Sequence, residues 1–117
     1  MRLVLIALLL GSAPALADPS DIVDAEARQS SDGRWNVSVT LRHPDTGWDH
    51  YADGWEVLSP DGTRLGYREL LHPHVHEQPF TRSLGGIEIP ASMDHVMIRA
   101  KCSVDGWGEA LYRLDLR

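Results

Sequence analysis

Trp35, Val37, Val39 and Leu41 alternate with Asn36, Ser38, Thr40 and Arg42. Successive side chains of a strand point to opposite faces, so this period-two pattern predicts a strand with one face in a core and the other in water. Similar runs recur at short intervals. Residues 22–28 lead into the turn signal Asp32-Gly33, and residues 55–59 and 63–71 flank Pro60-Asp61-Gly62. Residues 80–84 precede Gly85-Gly86 and the apolar pair Ile87 and Ile89, while 96–102 and 109–116 alternate again. Helical periodicity is missing from 18–117, where the patch 90–95 is too short for more than one turn. Seven or eight short strands in a chain of this size predict an all-β, immunoglobulin-like antiparallel β-sandwich.

The first residues set the compartment. Met1-Arg2 is followed by an apolar run from Leu3 to Leu10 and by Ala15-Leu16-Ala17, a charged start, apolar core and A-x-A end that predict a signal peptide over 1–17. One domain over 18–117 then remains, periplasmic or secreted, with no membrane anchor in the mature chain. The sole cysteine, Cys102, is far from the apolar run, where a lipid anchor would need it. Formal charge is −6 with no Lys or Arg cluster, which argues against nucleic acid and anionic membranes as partners. A lone thiol in an oxidising compartment must be buried, paired with another chain or bound to metal.

Two strands carry that thiol and a histidine to comparable positions. The inward phase of the Trp35 strand continues from Leu41 to His43, where Pro44 ends the ladder. Val96, Ile98, Ala100 and Cys102 share one face of a later strand, which ends as 103–108 turns away. A histidine and a cysteine that each end a buried face can meet at one end of the sandwich.

The stretch His43-Pro44-Asp45-Thr46-Gly47-Trp48-Asp49-His50-Tyr51, followed by Trp55-Glu56-Val57-Leu58, resembles the H-P-x-T-x-x-H-Y-x-x-W-I-x-L segment of the superoxide reductase and desulfoferrodoxin family, with one extra residue between the histidines. Ala100-Lys101-Cys102-Ser103-Val104-Asp105-Gly106-Trp107 is similar to that family's Y-C-N-x-H-G-x-W segment. The resemblance implies an immunoglobulin-like sandwich and an iron held by four histidines and an axial cysteine thiolate. It places His43 and His50 at two equatorial positions and Cys102 at the axial one. Asp105 stands where the family has a further histidine, and the K-H-V-P segment that supplies another has no counterpart before Trp35. His43, His50, Cys102 and Asp105 are therefore the candidate metal ligands, for iron or for copper or zinc. No catalytic residue is assigned.

His72, His74 and His76 form a second candidate cluster. In an extended segment alternate residues face one side, so three imidazoles would line up to chelate a transition metal, with Glu77 or His95 as further donors. If that loop folds toward Cys102, its histidines can replace the missing ligands.

The expected function is a binding module for a transition metal, in metal handling or redox protection. The alternatives are an active mononuclear iron superoxide reductase and a metal-free protein-interaction domain resembling sulfur-oxidation carrier subunits, with a protein partner in the periplasm. A plainly structural reading of the same residues makes His43 a strand cap, Cys102 a small buried hydrophobe, and Trp48, Tyr51, Trp55 and Trp107 loop-packing aromatics that close the sandwich end. Asp45, Asp49 and Asp53 read as turn formers and loop solvation.

Overall fold

The structure, a computed structural model, describes residues 20–117. The signal-peptide reading of 1–17 lies outside the described residues. Eight strands follow one another: β1 (Asp21–Gln29), β2 (Trp35–Arg42), β3 (Ala52–Leu58), β4 (Arg64–Glu69), β5 (Phe80–Ile87), β6 (His95–Cys102), the two-residue β7 (Gly106–Trp107) and β8 (Tyr112–Asp115). All pairings are antiparallel. One sheet has the order β1-β2-β5; the other runs β4-β3-β6, with β7 and β8 both paired to β6. The chain changes sheet after β2, after β4 and after β5, which is the connectivity of an immunoglobulin-like sandwich. Among the described residues no helix is long and apolar enough to cross a membrane.

The alternation at the head of the sequence is the core itself. Trp35, Val37, Val39 and Leu41 are buried from β2, and they face Trp55, Val57, Val96, Ile98 and Ala100 of the opposite sheet. Phe80 and Ile87 complete the inner face of the smaller sheet. On the outer face of the larger sheet Glu56 is nevertheless 2% exposed. Arg99 donates to its Oε1 from Nε at 3.0 Å and from Nη2 at 2.5 Å, and Arg64 Nε donates to its Oε2 at 2.7 Å. Trp107 lies over Arg99, 4.7 Å from its guanidinium carbon, and edge-on to Tyr67, so aromatic rings cover the ion pairs.

Three local expectations are corrected. Gly85-Gly86 does not separate one strand from the next: β5 runs through it, with Leu84 opposite Val37 and Ile87 opposite Trp35, so two glycines oppose Asn36 alone. Gly86 takes φ +70°, the left-handed glycine of a bulge. The last strand is shorter than 109–116, spanning Tyr112–Asp115. The turn after Cys102 is a tight hairpin in which Gly106, at φ +72°, pairs back with Cys102.

Candidate metal centre

Cys102 and His50 arrive at one place because the β3–β6 ladder continues past its last named pair. Ala52 is opposite Cys102. One step further, Ser103 N donates to Tyr51 O at 2.9 Å, and Tyr51 N donates to Ser103 Oγ at 3.1 Å. His50 ends a turn in which its N–H reaches Gly47 O at 3.2 Å and its carbonyl accepts from Thr46 N at 3.0 Å. Its Nε2 lies 3.5 Å from Cys102 Sγ.

His43 comes from the other sheet, one residue beyond β2, and is fully buried. Its ring stands edge-on to His50 with centroids 4.8 Å apart. One ligand atom from each of His43, His50 and Cys102 lies within 4.8 Å of the others. His43 Nδ1 is 2.5 Å from Asp45 Oδ1. A carboxylate only accepts, so in the neutral imidazole the proton is on Nδ1 and the Nε2 lone pair is free. Nε2 is buried and has no hydrogen-bond partner. Buried polar nitrogens are nearly always paired, so an orphan beside a second imidazole and a thiol fits a ligand position.

Asp105 stands at the edge of this group. Its Oδ2 is 3.4 Å from Cys102 Sγ and 3.9 Å from His50 Nε2, with a third of its side chain exposed, and its N–H donates to the sulfur at 3.3 Å. Burial pushes the Cys102 thiol above its ordinary pKa, opposed by the N–H groups of Asp105 and Val104. Beside the sulfur is a cleft of about 560 Å³, whose walls include Asp105, Trp107 and Glu109.

His72, His74 and His76 border one open surface, with the His72 and His74 rings 4.7 Å apart, but they are not an extended row. Residues 71–79 have no strand conformation; His74 turns inward while His72 and His76 stay exposed. The His74 ring stacks on Phe80 at 3.9 Å, and its Nε2 accepts from Arg82 Nη2 at 2.8 Å. A guanidinium on that nitrogen occupies its lone pair and repels a cation. The segment does reach the His43 end of the sandwich: Gln78 Oε1 accepts from His43 N at 3.0 Å, and Gln78 Nε2 donates to His74 O at 2.9 Å.

Other residues also depart from expectation. Trp55 is core, Trp48 is 67% exposed with Tyr51 edge-on to it, and Trp107 covers the outer face of a sheet. Asp45 is no solvating loop residue: its carboxylate is enclosed and takes N–H groups from His43, Ala52 and His74. The signal that could have found it was its place two residues after a histidine that ends a buried face.

Fold and site together define a β-sandwich with a partly buried His-His-Cys cluster at one end. No family model matches the chain, and no solved structure matches it. Over 89 residues it is 42% identical to a protein of Halomicrobium mukohataei named "Putative lipoprotein". The match covers 76% of this chain and 43% of that protein, so the chain spans less than half the length of this relative.

Proposed function

We propose that this chain is a divergent superoxide-reductase-like sandwich that serves outside the cytoplasm as a transition-metal-binding module, in metal handling or redox protection. The observation that carries the reading is the buried, unpartnered His43 Nε2 grouped with His50 and Cys102. Two imidazoles and a thiolate, with the Asp105 carboxylate at the open side, are a donor set for zinc or copper. A tetrahedral ion with bonds of about 2.3 Å to sulfur and 2.0 Å to nitrogen sets those two atoms about 3.5 Å apart. The separation of His50 Nε2 from Cys102 Sγ, 3.5 Å, is close to that value. The five-ligand iron of the family needs two further imidazoles, and His74, the buried histidine of the other cluster, has its Nε2 engaged by Arg82. Export agrees with the leader-like start at 1–17 and with the lipoprotein name of the relative.

The test is metal content after equilibration with Zn(II), Cu(II) or Fe(II) and removal of excess. One equivalent is expected on the purified protein, lost in Cys102→Ser and in His43→Ala, and kept when His72 and His76 are both changed to alanine. Metal retained by the first two variants, or bound by none of the proteins, refutes the assignment.

A further inference from the structure

The Asp45 carboxylate joins three separate segments. Oδ1 accepts from His43 Nδ1 at 2.5 Å, just past β2, and from Ala52 N at 2.9 Å, the first residue of β3. Oδ2 accepts from His74 N at 2.7 Å, in the segment between β4 and β5. Neither the Asp45 nor the His43 side chain has exposed surface. Enclosing a carboxylate is costly unless donors surround it, and here three do.

We infer that Asp45 is the positioning residue of this centre: it fixes His43 as the Nδ1–H tautomer with Nε2 turned to the ion, and through its second oxygen it ties residues 71–79 to the same site. The inference rests on the metal-binding reading above. An imidazole held by a carboxylate cannot rotate or exchange tautomers freely, and its free nitrogen becomes a better donor. Because one carboxylate holds both His43 and the His74 backbone, ordering of 71–79 and presentation of Nε2 are coupled. Gln78 makes a parallel link through the His43 backbone, leaving the imidazole to Asp45.

Asparagine in place of Asp45 cannot serve all three donors. Its amide NH2 must face either the His74 N–H or both the Ala52 N–H and the His43 Nδ1–H, so in each orientation donor is set against donor. The experiment compares wild type, Asp45→Asn and Gln78→Ala by Zn(II) competition with a chromophoric chelator, by long-range 1H–15N spectra of His43 in the metal-free protein, and by amide exchange at His74. Wild type should show Nδ1–H at His43 and slower His74 exchange with Zn(II) than without. Asp45→Asn should bind Zn(II) about 10–100-fold more weakly. Gln78→Ala should lower the melting temperature without an affinity loss of that size.

Zn(II) affinity unchanged in Asp45→Asn, or equally reduced in Gln78→Ala, overturns the inference. So does wild-type His43 protonated at Nε2, a result that holds even if Asp45→Asn does not fold. Wild type that binds no metal defeats the metal-binding reading first, and this role with it. Wild type that binds while Asp45→Asn binds equally well defeats only the role.

Discussion

His43 and His74 are two buried imidazoles at the same end of the sandwich whose surroundings fit them for opposite tasks. His43 donates its Nδ1–H to a carboxylate and keeps Nε2 unpartnered, whereas His74 faces a guanidinium and stacks on a phenyl ring. Burial, then the Arg82 and His72 charges, hold the His74 pKa below its ordinary value, against Asp45 and Glu77. Between that lowered value and about 6.5 the unfolded chain binds a proton at this position that the folded chain does not. The His74 contribution is therefore complete above about pH 6.5 and is lost as pH falls below it. His74→Phe, which keeps a ring against Phe80, should flatten the fall of urea-unfolding stability across that window relative to wild type. An equally steep fall in both proteins would show that His74 is not the group responsible. At Cys102 the pKa shift is opposite but the pH dependence of ligand binding runs the same way: the thiol held high by burial must release its proton when an ion binds, so metal affinity should rise with pH.

At the scale of the element, β3 and β6 carry the site on one end and an ion-pair cluster on their outer face. The sequence makes the inner face legible, since Trp55 and Val57 sit opposite Ala100 and Ile98 in the alternating pattern. It hides the outer face. Glu56 looks like any solvated strand residue, yet Arg64, Arg99 and the Trp107 ring enclose it only after β4, β6 and β7 have assembled. Glu56→Gln keeps the shape and removes the charge from hydrogen bonds to two arginines. A loss of about 2 kcal/mol of unfolding free energy is expected by denaturant titration. A change within about 0.5 kcal/mol would mean the cluster is no stronger than surface pairs. The Gly85-Gly86 bulge was equally hard to read, because a double glycine signals a turn unless its partner strand is known, and here that partner is Asn36 of β2.

For the whole molecule, the fold class was legible because a sandwich needs only alternating strands and turn signals, both local properties of sequence. Strand phase also placed His43 and Cys102 at buried strand ends, and the resemblance added His50. Two things were not legible. Asp45 depends on Ala52 and His74, residues 7 and 29 positions away, so its burial is a tertiary result. The course of 71–79 depends on Phe80 and Arg82 capturing the His74 ring, which no period in the sequence encodes. The candidate centre is thus a single convergence of two strand ends and a turn. X-ray absorption on protein loaded with one equivalent of Zn(II) tests it most directly. One sulfur at about 2.3 Å and two imidazole nitrogens at about 2.0 Å are expected, with the sulfur lost in Cys102→Ser. A shell of nitrogen and oxygen alone around a bound ion, unchanged in that variant, would contradict that expectation.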